Sequence, residues 1–107
     1  PHQVNIKKDS LADKIFKTDV LYGCPSWHHQ AVLSVENTEL LVSGSTNTNS
    51  EEMIEIIEFK DKNFVVGLQF HPEAAVVKHI NNVQNASEFM DKETALLVFE
   101  ELLSYAR

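Results

Sequence analysis

Apolar and polar positions alternate along much of this chain, and the alternation predicts a domain rich in short β-strands. It is regular in residues 2–7 and looser, though still strand-like, in residues 53–59. Residues 19–22 and 40–43 predict two further strands. Residues 45–50, written STNTNS, contain no apolar side chain and predict a polar loop between strands.

Two helices are predicted. Asp9 or Ser10 can cap a short helix, because the apolar side chains at positions 11, 12, 15 and 16 then fall on one face. A second, longer amphipathic helix is predicted from Asp91 onward. Its apolar face is expected to contain positions 96, 99, 103 and 106, with the glutamates at 93, 100 and 101 opposite. Between Glu73 and Asp91 the pattern predicts no regular element.

The most apolar run of the chain is residues 64–70, written FVVGLQF. A polar link at 61–63 joins it to the strand at 53–59, which predicts an antiparallel hairpin in which Glu55 and Glu58 lie near the solvent side. A strand this apolar needs cover on both faces, and the two predicted helices scarcely provide it. Either the core is small, or the chain is part of a larger α/β sheet.

Length and charge exclude several classes of protein. With 107 residues the chain is long enough for one domain and too short for two. Its formal charge of −7 argues against nucleic-acid or anionic-membrane binding, both of which need a basic surface. No apolar stretch reaches membrane-spanning length. We therefore expect neither a nucleic acid nor a membrane as partner.

Three residues at the end of the apolar run form the first candidate site: His71, Pro72 and Glu73. Proline biases the preceding residue toward an extended backbone, so we expect His71 to end its strand with the imidazole pointing away from the sheet edge. If that strand is central, the triplet lies at the carboxyl edge where α/β sheets bind ligands. A carboxylate beside an imidazole fixes its tautomer and stabilises its protonated form. The alternative is that both ionisable residues simply begin a loop.

A second candidate segment, written SWHHQ, contains His28, His29 and Gln30. In an extended segment His28 and Gln30 share one face while His29 points the other way, an arrangement that suits a pocket wall. A zinc site that combines these histidines with His71 and Glu73 is a weaker alternative. Adjacent histidines on opposite faces are poorly placed to bind one ion.

Cys24 is the only cysteine, which excludes an internal disulfide and favours a reducing, cytoplasmic setting. It lacks the small flanking residues of a nucleophile elbow, and no predicted helix follows it directly. We therefore expect a packing role rather than a catalytic one. His2 and His79 have no partner in the sequence, and no function is predicted for either.

Several segments together resemble a known family. G-L-Q-F-H-P-E, ending an apolar strand, resembles the histidine–glutamate segment of the class I glutamine amidotransferase superfamily. S-W-H-H-Q-A-V is similar to the γ-glutamyl-γ-aminobutyrate hydrolase branch of that superfamily. H-Q-V-N-I and M-I-E-I-I-E-F match the same branch in order and spacing across residues 2–73. The final helix fits the closing helix of the family.

The resemblance implies an α/β fold, a flavodoxin-like three-layer sandwich of the class I glutamine amidotransferase type. Residues 1–107 would form its C-terminal, strand-rich part, within a single domain. The nucleophile of the family lies in an upstream G-x-C-x-G elbow that these residues do not contain. The expected partner is therefore an N-terminal half that carries the cysteine, and the chain alone is expected to be inactive. Homodimerisation is left open.

The resemblance also implies the chemistry. A Cys-His-Glu triad would hydrolyse γ-glutamyl amides, with His71 as general base and Glu73 as its orienting carboxylate. His28, His29 and Gln30 match a segment near the active site and would bind the small-molecule γ-glutamyl substrate. No metal or other cofactor is implied.

One departure and two alternatives remain. Pro25 stands where the branch commonly has asparagine, which leaves the local pocket contacts open. One alternative is a non-catalytic binding or regulatory domain with the same fold. The other is a self-standing, β-rich metal-binding protein.

Overall fold

The computed structural model describes residues 2–26, 32, 34–48, 51–59, 64–82 and 84–106. These residues contain five strands, three α-helices and a short 3₁₀ turn at Ala86–Glu88. In chain order the strands and helices are β1 (His2–Ile6), α1 (Leu11–Phe16), β2 (Val20–Cys24), β3 (Leu40–Thr48), β4 (Glu51–Phe59), β5 (Val66–Leu68), α2 (Pro72–Ile80) and α3 (Lys92–Ala106). The mixed α/β class predicted from the sequence is confirmed.

The five strands form one sheet in the order β2-β1-β3-β4-β5, and every neighbouring pair is antiparallel. The predicted hairpin of β4 and β5 is confirmed, since Ile56 lies opposite Leu68 and Glu58 opposite Val66. However, β5 is only three residues long and lies at the edge of the described sheet. The regular strand thus ends at Leu68. The prediction that His71 is the last extended residue of this strand is wrong.

The prediction of a polar loop at residues 45–50 is wrong for its described part. β3 continues to Thr48 and pairs with β4, with Thr46 opposite Met53 and Asn47 opposite Glu52. Backbone hydrogen bonds between paired strands do not require apolar side chains, so the absence of apolar residues was a poor guide here.

The three helices share a single core with one face of the sheet. In β1, Val4 and Ile6 are buried while Gln3 and Asn5 are exposed, which shows which face the helices cover. The described residues thus form two layers, and the three-layer sandwich stays a prediction. The buried residues of this core are Val4, Ile6, Ala12, Ile15, Phe16, Leu21, Cys24, Ile56, Phe70, Ala75, Met90, Ala95 and Val98.

Helix α2 was not predicted, because its apolar residues do not form one regular face. It buries Pro72 and Ala75, whereas Val77 and Ile80 are exposed. Proline at the first helical position suits the start of a helix, since its fixed φ is helical and no N–H is lost there. None of the helices in the described part of the chain is long and apolar enough to cross a membrane.

Helix α3 is confirmed, but its buried face is not the predicted one. Ala95 and Val98 are in the core, while Phe99 and Leu103 are 40% and 58% exposed. α3 packs against both α1 and α2. Small residues permit the close approach of helices, whereas helical periodicity alone does not choose between two apolar stripes.

Glu55 and Glu58 of β4 are buried, contrary to the prediction that they lie near solvent. The carboxylate of Glu58 accepts hydrogen bonds from the Leu11 N–H at 3.0 and 3.1 Å. This N–H is at the start of α1, where helix N–H groups lack internal partners and attract anions. Ser10 caps the same helix by accepting from the Asp13 N–H at 3.1 Å, as predicted.

Gly23 allows β2 to pass very close to the start of α3. Its φ is +67°, and a Cβ at this position would lie 2.6 Å from the Met90 nitrogen and 2.7 Å from the Glu88 carbonyl oxygen. The Met90 N–H also donates to the Gly23 carbonyl at 2.8 Å. A side chain here would therefore collide with backbone that is itself hydrogen-bonded.

We predict that Gly23→Ala lowers the free energy of unfolding by more than about 2 kcal/mol, because it combines a left-handed backbone with a backbone collision. Gly67→Ala is the matched control, since a Cβ there meets only the Ile57 side chain, at 3.1 Å. Urea denaturation of both variants measures the difference. Equal, small losses in the two variants would show that the packing at Gly23 is not tight.

Candidate active site

His71 and Glu73 contact each other through their side chains. The Nδ1 atom of His71 lies 2.7 Å from Oε1 of Glu73. Because a carboxylate only accepts, Nδ1–H is the donor, and Nε2 is then the basic nitrogen of the ring. The side chains are 48% and 57% exposed. A contact this exposed contributes little to stability.

The start of α2 produces this contact. His71 precedes the helix with φ −115° and ψ 86°, Pro72 is the first helical residue, and Glu73 lies in the first turn. A carboxylate in the first turn is favoured by the helix dipole. The alternative that both residues begin a loop is therefore wrong, because they begin a helix.

The backbone of His71 is bound to the end of β2. Its N–H donates to the Pro25 carbonyl at 2.8 Å, and Ser26 is the next residue of that segment. Ser26 Oγ is buried, and none of the described residues gives it a hydrogen-bond partner. His28, His29 and Gln30, the predicted substrate-binding residues, lie outside the described residues.

A second polar pair, formed by His2 and Glu55, was not predicted from the sequence. Nε2 of His2 donates to Oε1 of Glu55 at 2.8 Å, and the Glu55 side chain is 2% exposed. The two residues are far apart in sequence, and no local pattern links them. The position of Glu55 between Ile54 and Ile56 was the available signal. His79, by contrast, donates from Nε2 to the Met90 carbonyl at 2.9 Å and holds α2 near α3.

Cys24 is fully buried in the core, as expected for a packing residue. Burial, and to a smaller extent the nearby Glu55 carboxylate, raises the pKa of the Cys24 thiol to about 12. A nucleophilic cysteine requires the thiolate and access to substrate. Cys24 has neither at neutral pH, so it does not serve as the thiol partner of His71.

No group of three or more potential metal ligands occurs among the described residues. The zinc site considered from the sequence includes two histidines that lie outside them. Within the described part of the chain, the His71–Glu73 pair does not belong to a metal-ligand cluster.

The peptidase C26 family matches residues 1–73, more than half of the chain, so the chain belongs to this family. The resemblance to the class I glutamine amidotransferase superfamily is confirmed at that level. The γ-glutamyl-γ-aminobutyrate hydrolase branch stays a prediction.

Two curated relatives match about two thirds of the chain. A CTP synthase of Pyrococcus abyssi is 32% identical over 76 residues, and a glutamine amidotransferase-like protein of Rickettsia prowazekii is 33% identical over 72 residues. The chain spans only 14% and 24% of the lengths of these relatives.

Among solved structures, a Trypanosoma brucei CTPS glutaminase domain with bound acivicin has a TM-score of 0.60 at 19% identity. The match covers 92% of this chain and 38% of that domain. This likeness shows that the described residues have the fold of part of a glutaminase domain.

We predict that the Cys24 thiol resists alkylation in the folded protein and that its stability contribution depends on pH. The folded state retains the thiol proton up to about pH 12, whereas an unfolded chain loses it near pH 8.5. Between these values the native state binds more protons, so the contribution is complete below about pH 8.5 and is lost as the pH rises.

Cys24→Ala provides the measurement, because it removes the titrating group. Near pH 8 the variant is expected to be less stable by about 1–2 kcal/mol, and the gap is expected to shrink toward pH 11. Urea titrations of both proteins at several pH values give the gap. A gap that stays constant would contradict the raised pKa.

Proposed function

We propose that this chain provides the histidine and glutamate of a Cys-His-Glu triad that hydrolyses γ-glutamyl amide bonds. The observation that carries the proposal is the 2.7 Å contact between His71 Nδ1 and Glu73 Oε1 at the start of α2. Membership of the peptidase C26 family supports it independently.

In this mechanism Glu73 holds the imidazole in one tautomer and stabilises its protonated form. His71 Nε2 then takes the proton of the nucleophilic thiol, and the thiolate attacks the γ-carbonyl of the substrate. His71 next protonates the leaving amine. A water molecule, deprotonated by the same nitrogen, cleaves the thioester and releases glutamate. The reaction requires neither a metal nor an organic cofactor.

The nucleophile comes from outside this chain, since Cys24 is its only cysteine and is buried. We assign it to a G-x-C-x-G elbow in an N-terminal half that covers the exposed His71–Glu73 pair and excludes water. Backbone amides at that elbow would stabilise the oxyanion. A reducing, cytoplasmic setting suits a reactive thiol of this kind.

The γ-glutamyl-γ-aminobutyrate hydrolase branch is the proposed subgroup. Its support is the SWHHQ segment, whose first residue, Ser26, follows Pro25, the residue that accepts the His71 N–H. In this proposal His28, His29 and Gln30 bind the small γ-glutamyl substrate.

A non-catalytic binding or regulatory domain is the second candidate. The observation that favours it is the lack of a reactive thiol within the chain. The reading frame upstream of Pro1 separates the two: a strand followed by G-x-C-x-G supports the enzyme, and an initiation codon directly before Pro1 supports the non-catalytic domain.

We predict that in the full-length protein His71→Ala lowers kcat/KM for a γ-glutamyl amide by at least about 1,000-fold, because general base catalysis is lost. Glu73→Ala should cost about 100-fold, since the imidazole loses its orientation but not its basicity. Release of glutamate under single-substrate conditions measures both.

Glu100→Ala is the matched control, because Glu100 is an exposed glutamate on α3 outside this site. It should leave turnover unchanged. Undiminished glutamate release by the His71 variant would refute the proposed role of this residue and, with it, the proposed function.

A further inference from the structure

Glu55 lies at an irregularity in the sheet, next to the strand that leads to His71. Gly44 of β3 is opposite Ile56, whereas Ser45 is opposite Ile54, so Glu55 is an extra residue on β4. Such a β-bulge redirects a side chain relative to regular alternation. Here the Glu55 carboxylate is buried, contacts His2 and contributes to the raised pKa of the Cys24 thiol.

The backbone of Glu55 holds the chain that leaves β5. Its carbonyl accepts the Gln69 N–H at 2.8 Å. Regular strand pairing ends at Leu68, so this hydrogen bond is the last sheet-like contact before His71. The bond fixes the direction in which the chain approaches the site.

The side chain of Glu55 is connected through His2 to the end of β2. Its carboxylate accepts the hydrogen bond from His2, and His2 lies opposite Cys24 in the pairing of β1 with β2. Cys24 precedes Pro25, the residue whose carbonyl accepts the His71 N–H. The backbone of Glu55 thus binds the segment that precedes His71. Its side chain binds His2, which is paired with the end of β2, the segment that accepts the His71 N–H.

A buried carboxylate is a costly means of holding a fold together. Apolar residues of similar volume often stabilise a core equally well or better, whereas buried polar pairs are in some proteins retained because they specify one geometry. In this protein the His2–Glu55 pair is connected to both segments that meet at His71. Glu55 binds Gln69, and His2 lies opposite Cys24.

We propose that Glu55 is a positioning residue that sets the place and direction of His71 through Gln69 on one side and through His2 and the end of β2 on the other. Its consequence for turnover rests on the proposed function. Its consequence for the His71 backbone does not.

Amide hydrogen exchange in the full-length protein tests the backbone consequence directly. Glu55→Ala should accelerate exchange of the His71 amide by at least about 10-fold more than it accelerates the core amide of Ile15. Glu55→Gln should restore protection, because a glutamine amide can accept from or donate to His2. Glu58→Ala is the matched control. It also removes a buried carboxylate from β4, but this carboxylate binds the Leu11 N–H and not His2.

Steady-state kinetics on a γ-glutamyl amide tests the consequence for turnover. Glu55→Ala should lower kcat by about 10- to 100-fold with KM within about 2-fold, and Glu55→Gln should recover most of the loss. If Glu55→Ala does not fold, His2→Ala replaces it, because His2 is less buried and removes the same contact.

Two results would overturn the proposal. One is an acceleration at His71 no greater than at Ile15, which would leave Glu55 a purely structural residue. The other is a Glu55→Gln variant that behaves like Glu55→Ala. A wild-type protein without γ-glutamyl hydrolysis would refute the proposed function alone, since the exchange comparison still decides whether Glu55 positions His71.

Discussion

The hydrogen bond from the His71 N–H to the Pro25 carbonyl joins the two segments on which the candidate site is built. On the acceptor side, the chain continues directly into Ser26 and the SWHHQ segment. On the donor side, Pro72 begins α2 and places Glu73 against the imidazole. This contact fixes the residue after β2 against the residue before α2, and Cys24, Phe70 and Ala75 share the core that holds the same segments together.

The hydrogen-bonded carboxylates discussed above differ in their burial. The His71–Glu73 pair is exposed and adds little to stability. Glu55 and Glu58 are buried, and each is hydrogen-bonded to a different part of the fold. A buried carboxylate without a partner is strongly destabilising, so both bonds restrict the chain to one arrangement.

Local rules predicted what local interactions decide. Asp9 or Ser10 was predicted to cap a helix, and β4 and β5 to form a hairpin, because capping and short polar links depend on neighbours in sequence. Ser10 is the cap, and the hairpin forms. The burial of Glu55 was not predictable in this way, since it depends on a bulge and on a distant histidine. The proximity of Glu73 to the His71 imidazole was predictable from the sequence, because the two residues are separated only by Pro72. Their catalytic role is proposed from geometry and family membership together.

The position of the nucleophile relative to His71 is the most direct test of the account. In a crystal structure of the full-length protein, we expect a cysteine of a G-x-C-x-G elbow with its Sγ within about 4 Å of His71 Nε2, while Nδ1 keeps its contact with Glu73. A structure in which no thiol approaches Nε2, or in which another side chain fills that place, would contradict the assignment of a Cys-His-Glu triad.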